Sequence, residues 1–312
     1  MKLIAILGQT SSGKSEIAVE IADYYTQKGL VVWVVNCDSR QVYKDLNIGT
    51  GKVAGQWQQT DKDLPSSSTY FYKNIPHFLI DYIEPQEGFD LTKYLSDFKN
   101  LFTQKVPDIV ILCGGTGLYA KSVYSQKDYF TTKPEHLENY KQLREYYSNL
   151  SLGDLQKQTE DLNLNQSDFN NKIRLINQLL KRTATLNDWL IPEQPVEFEE
   201  SFLFGILTEQ GELYQKISDR LKNRIDSGLF EEFLSLKQKN IDPSFWTRIG
   251  LEYRLCWFYY YGLISQKEWQ SKLLSQNLQY AKRQLTWFKR EPLIWKKSTF
   301  EILQYLTTYL KI

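Results

Sequence analysis

A glycine- and serine-rich segment near the N-terminus combines residue types that bind phosphates. Residues 8–15, GQTSSGKS, fit the pattern G-x-x-x-x-G-K-[ST] of nucleotide-binding and ATP-binding P-loops. In such a loop, backbone N–H groups and the start of the next helix form an anion cradle. Lys14 adds a positive charge, and Ser15 adds a hydroxyl ligand for Mg²⁺. The pattern predicts a site for phosphoryl oxygens without saying which phosphate compound it holds.

A second group of reactive side chains begins at Asp38, directly after an apolar run at residues 31–35. The carboxyl ends of parallel strands meet at one edge of a sheet, so Asp38 should face the phosphate loop across a crevice. An aspartate in this place could be an Mg²⁺ ligand or a helix cap. It could equally be a general base that takes a proton from a nucleophile attacking beside the bound phosphates. Residue type and spacing leave these roles open.

The elements that must position these residues follow from short apolar runs. Residues 3–7, 31–35 and 109–113 have the continuous apolar character of buried parallel strands. Residues 16–25 carry apolar side chains at helical spacing and are followed by Gly29, a helix stop. Strand, helix and strand make a βαβ unit, and the third strand leads into a further helix at 118–123. We predict an α/β fold, a P-loop NTPase-like parallel sheet flanked by helices.

The middle of the chain differs in composition from both ends. Residues 131–198 are polar, with apolar side chains at helical intervals, and we predict a helical insertion there. Residues 201–207 return to the apolar density of a strand, and a charged amphipathic helix at 213–228 ends at a glycine. The catalytic core is therefore expected to be discontinuous, with residues 1–130 as its first part and residues 199–312 completing it.

Composition excludes several classes of protein. The 312 residues are 42% hydrophobic and 24% charged with a formal net charge of +1, which is typical of a folded chain and not of a globally basic nucleic-acid binder. Three cysteines and two histidines are too few for a disulfide framework or a cysteine-rich zinc site. No apolar run approaches the roughly 20 residues that cross a bilayer. We expect a cytoplasmic protein without a membrane segment.

Several motifs together resemble one known family, the tRNA dimethylallyltransferases, also called tRNA isopentenyltransferases, of the bacterial type. The resemblance extends from the first strand to about residue 290, with the motifs in the family's order. They are GQTSSGKS at 8–15, DSRQVY at 38–43, IGTGK at 48–52, PHFLID at 76–81, GGTGLY at 114–119 and YAKRQLTWFKR at 280–290. The resemblance implies transfer of a dimethylallyl group from dimethylallyl diphosphate to N6 of the adenosine just 3′ of a tRNA anticodon, with release of diphosphate.

The resemblance also assigns roles at the reaction centre. It implies that Asp38 is the general base, that Thr116 lies beside the extruded base, and that Arg220 contacts the diphosphate. Without the resemblance, Thr116 would be taken for a polar loop residue and Arg220 for part of a solvated helix face. The diphosphate would lie in the phosphate loop with Mg²⁺ held by Ser15. The diphosphate-binding residues are predicted to be Gly8, Thr10, Ser11, Ser12, Gly13, Lys14 and Ser15.

Contacts with the anticodon stem-loop of tRNA are predicted in three places. Ser39, Arg40 and Gln41, beside Asp38, would read the edges of the extruded adenine. Lys282 and Arg283 lie in a basic stretch at 280–297 that is interleaved with aromatic residues and suits RNA, or else is a solvated helix surface. In the insertion, Lys172 and Arg174 resemble residues of the family's tRNA-gripping domain. We expect the protein to act as a monomer.

Three departures from the family pattern and three rival functions remain. Asn177 stands where a second arginine is usual, Arg224 stands where an apolar residue is usual, and the segment IGLEYR at 249–254 is two residues longer than the family's element. An adenylate isopentenyltransferase would use the same donor on free nucleotides, but it would not need the insertion or the basic C-terminal stretch. The phosphate loop alone would suit a metabolite kinase, and an RNA-binding scaffold could retain a decayed loop. The presence of Lys14, Ser15 and Asp38 argues against decay.

Overall fold

The computed structural model describes residues 1–60, 64–127, 129–239 and 241–310. The chain divides into two compact units, one formed by Met1–Gln126 with Val196–Ile312 and the other by Lys127–Pro195. The boundaries predicted from the sequence lie after residues 130 and 198. The larger unit thus combines both ends of the chain, and it contains the phosphate loop and Asp38.

Strands of the larger unit form a single mixed sheet in the described part of the chain. Its order is β10-β9-β1-β6-β2-β5-β4-β3, whereas β7 and β8 pair with each other in the smaller unit. The strands are β1 (Lys2–Gly8), β2 (Val32–Asn36), β3 (Gln56–Gln59), β4 (Ser68–Tyr72), β5 (Ile75–Phe78), β6 (Ile109–Gly114), β7 (Tyr129–Thr132), β8 (Leu190–Glu193), β9 (Glu200–Ile206) and β10 (Ile294–Lys296).

Helices cover the faces of the sheet and make up most of the smaller unit. A short 3₁₀ turn at Pro134–His136 precedes the fourth helix. The helices are α1 (Lys14–Thr26), α2 (Leu91–Asn100), α3 (Gly117–Tyr124), α4 (Leu137–Asn149), α5 (Leu152–Lys157), α6 (Gln166–Phe169), α7 (Lys172–Leu186), α8 (Gln210–Asp226), α9 (Leu229–Lys237), α10 (Pro243–Arg248), α11 (Leu251–Tyr260), α12 (Gln266–Phe288) and α13 (Thr299–Tyr309).

The predicted parallel sheet is confirmed at its centre. β1 pairs in parallel with β6 and β9, and β2 pairs in parallel with β6 and β5. Every residue of β2 and β6 is buried, which explains their continuous apolar sequences. One edge differs from the prediction, because β3, β4 and β5 pair antiparallel. All four residues of β3 (QWQQ) are exposed, so the strand lacks the apolar pattern by which it could have been recognised.

Most of the aromatic residues belong to the core rather than to open stacking surfaces. The largest fully buried side chains include those of Trp33, Tyr94, Phe204, Phe233 and Trp246. Aromatic rings also pack edge-to-face around α9, α10 and α11, for example Phe233 against Trp246 with ring centroids 5.1 Å apart. These aromatic residues therefore stabilise the interior of the larger unit and are not open to stack on bases.

The smaller unit has a core of its own. Leu155, Leu175, Leu179 and Leu180 are fully buried, and they pack with half-buried residues of α4. Helices α5, α6 and α7 begin at side-chain caps, such as Asn171, which accepts a hydrogen bond from the Arg174 N–H at 3.2 Å. Among the described residues of both units, none of the helices has the length and apolar character needed to span a membrane.

Candidate functional site

The phosphate loop connects β1 to α1 and has the backbone of an anion cradle. Ser11 and Gly13 have φ values of 62° and 86°, which turn successive N–H groups toward one concave surface. Helix α1 begins without a side-chain cap, so its first N–H groups are not satisfied by the protein's own side chains. The buried Ser12 Oγ also lacks a hydrogen-bond partner among the described residues. These unsatisfied donors fit a phosphoryl group at this position.

Lys14 and Arg220 supply the positive charge of the loop. Lys14 Nζ donates a hydrogen bond to the Gln9 carbonyl, and burial lowers its pKa to about 8. Arg220, on α8, donates from Nη1 to the hydroxyl oxygens of Thr10 at 3.1 Å and Ser11 at 3.3 Å. Burial also lowers the pKa of Arg220, to about 9, so the guanidinium is still charged at neutral pH. An anion in the cradle would be bound from both sides.

Helix α12 fixes the position of the loop through two glutamines. Gln284 accepts a hydrogen bond from the Thr10 N–H at 2.7 Å and donates to the Gly115 carbonyl at 3.0 Å. Gln9 donates to the Ala281 carbonyl, also at 3.0 Å. Gln284 was not identified as a functional residue, although it lies within the YAKRQLTWFKR motif. Its side chain connects the phosphate loop to the segment after β6.

Asp38 lies at the carboxyl end of β2, on the cavity that contains the phosphate loop. Its N–H donates to Asn36 Oδ1 at 2.9 Å, and its Oδ1 accepts from the Arg40 N–H, also at 2.9 Å. Oδ2 lies 3.7 Å from the point where a side-chain carbon of Gly115 would stand. No hydrogen bond from the described residues occupies Oδ2, so this oxygen can accept a proton from a ligand in the cavity.

Thr116, in the segment after β6, contacts Ser39, the residue that follows Asp38. The Ser39 N–H donates to Thr116 Oγ1 at 3.2 Å, and the two side-chain oxygens are 3.5 Å apart. Thr116 is also the first residue before α3, and its hydroxyl does not cap that helix. The hydroxyls of Ser39 and Thr116 thus lie together beside the general-base candidate.

The oxygen ligands of the site suit Mg²⁺ bound together with a phosphate. The described residues contain no group of three or more His, Cys, Asp or Glu side chains arranged to hold a metal ion. Ser15 lies beside the buried Cys113 thiol, whose pKa burial raises to about 11. Mg²⁺ commonly takes one or two protein oxygens and completes its shell with substrate phosphates and water. Ser15 and Asp38 could supply such oxygens.

The cavity encloses about 1040 Å³ and gathers most of the predicted site residues. Gly8 and Ser12 belong to the phosphate loop but do not line the cavity, and neither do Lys282, Lys172 and Arg174. Basic residues that line it but were not predicted include Arg224, Arg248 and Arg254. The predicted residues that do line it are Thr10, Ser11, Gly13, Lys14, Ser15, Asp38, Ser39, Arg40, Gln41, Thr116, Arg220 and Arg283.

One wall of the cavity is the segment at 47–52, which a single carboxylate holds. Glu232, on α9, accepts hydrogen bonds from the N–H groups of Asn47 at 2.9 Å, Ile48 at 2.8 Å and Gly49 at 3.0 Å. It also accepts from the Tyr253 hydroxyl at 2.6 Å. Nothing in the sequence pointed to Glu232, because the three N–H groups that it binds lie about 185 residues away in the chain.

Replacing Glu232 with glutamine should loosen this wall. A glutamine NH₂ would face N–H groups that now donate to a carboxylate, leaving at least one of them unpaired. We expect the free energy of unfolding, measured by urea denaturation, to fall by about 2 kcal/mol. Glu231→Gln removes the same charge from the adjacent, exposed position and should change it by less than about 0.5 kcal/mol. Equal stability of the two variants would contradict the holding role.

In the basic stretch at 280–297, basic and aromatic side chains differ in exposure. Lys282, Arg283, Lys289 and Arg290 are exposed on α12 and the turn after it. Phe288 is 1% exposed, and the rings of Trp287 and Trp295 cover Gly117 and Gly205. These three aromatic members therefore pack inward, whereas Tyr280 lines the cavity with the Arg283 guanidinium 5.9 Å from its ring centroid. Binding of RNA by the basic side chains stays a prediction, with a solvated helix surface as its alternative. The exposed surface offers cations and few stacking faces.

In the smaller unit, Lys172 and Arg174 occupy the first turn of α7. Both side chains are exposed, and Arg174 forms an ion pair with Asp168. Asn177, where the sequence lacks the expected arginine, is exposed on the same helix. This surface of α7 can reach a ligand, with part of its charge already neutralised.

Comparisons with known proteins agree on one family. The family model described as IPP transferase matches residues 41–291. The tRNA dimethylallyltransferase 1 of Azobacteroides pseudotrichonymphae is 32% identical over 92% of this chain and 89% of its own length. The tRNA dimethylallyltransferase of Anoxybacillus flavithermus is 31% identical over 98% and 96%. A full-length tRNA isopentenylpyrophosphate transferase of Bacillus halodurans shares the fold, with a TM-score of 0.64, 23% identity and coverage of 98% and 96%.

Proposed function

The chain belongs to the IPP transferase family, and from that premise we propose that it transfers a dimethylallyl group from dimethylallyl diphosphate to tRNA. The acceptor is N6 of the adenosine 3′-adjacent to the anticodon, and diphosphate is released. The chain is thus a tRNA-modifying prenyltransferase. The observation that supports the proposed chemistry is a single cavity that both Asp38 and the phosphate loop line.

Asp38 acts as the general base in this proposal. The adenine amino group is a weak nucleophile, because its lone pair is delocalised into the ring. A carboxylate within hydrogen-bond reach removes its proton as the bond to the allylic carbon forms. Asn36 and the Arg40 N–H hold the aspartate in place through its backbone and Oδ1, which leaves Oδ2 for the amine.

The phosphate loop stabilises the leaving group. As the bond between carbon and oxygen breaks, negative charge develops on diphosphate, and Lys14, Arg220 and the loop N–H groups face that charge. Mg²⁺ held by Ser15 with the diphosphate would supply further charge neutralisation. The hydroxyls of Thr10 and Ser11 and the N–H groups of Ser11 and Gly13 complete the diphosphate site.

Recognition of the acceptor is assigned to residues around Asp38 and to basic surfaces. The adenine must leave its stack to reach the cavity. Ser39, Arg40, Gln41 and Thr116 then line the space in which its edges lie. Lys282 and Arg283 on α12, and Lys172 and Arg174 on α7, would bind the phosphates of the anticodon stem-loop.

Mass spectrometry of nucleosides tests the proposed reaction. Unmodified tRNA is incubated with the protein, Mg²⁺ and dimethylallyl diphosphate, digested to nucleosides, and analysed for N6-isopentenyladenosine. Parallel reactions contain AMP in place of tRNA, or labelled ATP in place of the prenyl donor. Product in tRNA alone supports the proposal. Product only with AMP would indicate an adenylate isopentenyltransferase, and label transfer from ATP would indicate a kinase.

Removing the charges of Lys282 and Arg283 together should weaken tRNA binding and reduce its salt dependence. Each lost phosphate contact lowers the slope of log affinity against log salt concentration by about 0.7 to 0.9. We expect the Lys282→Gln/Arg283→Gln variant to lose one to two such contacts in filter-binding measurements. Lys267→Gln/Lys272→Gln removes two exposed charges nearer the start of α12 and should keep the wild-type slope. An unaltered slope in the Lys282→Gln/Arg283→Gln variant would indicate that Lys282 and Arg283 belong to a solvated surface that does not bind tRNA.

A further inference from the structure

Two arginine side chains of α8 converge on the same glycine. Arg220 and Arg224 lie one turn apart on the helix. A side-chain carbon at Gly51 would stand 1.8 Å from Arg220 Nη2 and 2.1 Å from Arg224 Nη2. The two nitrogens are therefore within about 4 Å of each other, a distance at which like charges repel. Gly51, at a φ of 63°, leaves the space that both guanidinium groups occupy.

The charges around these two groups do not balance. Arg224 Nη1 donates to Glu252 at 3.1 Å, and these side chains are only 11% and 15% exposed. Arg220 Nη1 donates to neutral hydroxyls of the phosphate loop. In the part of the chain that is described, neither Nη2 donates a hydrogen bond. Among the described residues, Glu252 is thus the one carboxylate hydrogen-bonded to these two cations, while Asp38 acts on Arg220 only through its charge. The remaining donors of both guanidinium groups converge on a single point.

An anion with several oxygens would satisfy this arrangement. Planar guanidinium groups bind phosphoryl oxygens through paired hydrogen bonds, and two such groups close together can share one phosphoryl group. Both arginines line the 1040 Å³ cavity together with Thr10 and Ser11 of the phosphate loop. An anion between them would therefore lie next to the cradle.

We propose that Arg224 is a second diphosphate-binding arginine, which acts with Arg220 on the phosphoryl group that the phosphate loop does not enclose. Glu252 holds Arg224 in position through its ion pair. The inference rests on the proposed function, since diphosphate is the anion that the reaction releases. Its consequence is tighter binding of both the prenyl donor and the diphosphate product.

The test compares charge-balanced variants in their binding of inorganic diphosphate. Arg224→Leu alone would leave Glu252 unpaired, so the main variant is Arg224→Leu/Glu252→Gln, and Glu252→Gln alone is its reference. Isothermal titration with inorganic diphosphate and Mg²⁺ should show binding about tenfold weaker in the double variant than in both the wild type and Glu252→Gln. A matched control, Arg182→Leu/Asp161→Asn, removes an ion pair of the smaller unit and should bind like the wild type.

Wild-type affinity in the double variant would overturn the proposal and leave Arg224 only its ion pair with Glu252. If circular dichroism shows that the double variant does not fold, the diphosphate affinity of Arg224→Lys provides a second test. Lysine keeps the charge but loses the planar fork, so its affinity should be a few-fold weaker, and unchanged affinity would again refute the proposal. In steady-state assays the KM for the donor should rise more than kcat falls. Absence of N6-isopentenyladenosine with wild-type protein would instead refute the proposed function.

Discussion

Replacing Asp38 with alanine should lower kcat for tRNA prenylation by about 10²- to 10⁴-fold, the range for a lost general base. The affinity for tRNA should change little, because a base acts mainly in the transition state. Single-turnover rates with saturating tRNA and donor measure the first quantity, and filter binding measures the second.

Asp38→Asn separates the chemical role of the carboxylate from its structural role. The asparagine Oδ1 can still accept the Arg40 N–H, so the turn at the end of β2 is retained. Only the capacity to take a proton is lost. If Asp38 is the base, the asparagine variant should be about as slow as the alanine variant. Near-wild-type turnover of Asp38→Asn would show that the residue only shapes the turn.

Replacing Lys14 with methionine should lower kcat by about 10²- to 10³-fold, as expected for loss of a charge that stabilises a leaving group in a partly buried site. The KM for dimethylallyl diphosphate should rise as well, because the same charge binds the donor. Initial rates at varied donor concentration measure both quantities. Lys28→Met, which removes an exposed charge just beyond the other end of α1, should leave them unchanged.

The pH dependence gives an independent check on Lys14. Burial favours the neutral amine and lowers its pKa to about 8, so the free enzyme loses this cation as the pH rises through 8. Donor KM should therefore increase between pH 7.5 and about 9 in the wild type. Lys14→Arg keeps its charge over that interval and should show a flatter profile. Identical profiles would mean that Lys14 does not titrate in the free enzyme.

The sequence predicted best where local pattern and chemistry coincide. β1, the phosphate loop and α1 are contiguous, so their order and spacing were enough to predict the cradle. Asp38 could be placed beside it because carboxyl ends of parallel strands share one edge, and β2 is separated from β1 only by β6. These inferences needed no knowledge of distant contacts.

What the sequence could not predict depends on partners far along the chain. Glu232 and Gln284 look like ordinary polar residues of helices, and only the fold brings them to the segments they hold. Arg224 was recognised only as a departure from the family's apolar residue, and the sequence did not reveal that its side chain is mostly buried against Glu252. The spacing of aromatic residues at 280–297 could not distinguish an open stacking surface from one packed onto glycines.

The glutamine contacts of the phosphate loop bear on how the protein is made. Gln9 and Thr10 find their partners in Ala281 and Gln284, at sequence separations of 272 and 274 residues. During synthesis the ribosome must therefore add nearly the whole chain before the loop acquires this support. Closing contacts of such long range is entropically costly and slows folding. A nascent chain that stops short of α12 would carry the complete nucleotide-binding signature without the helix that stabilises it.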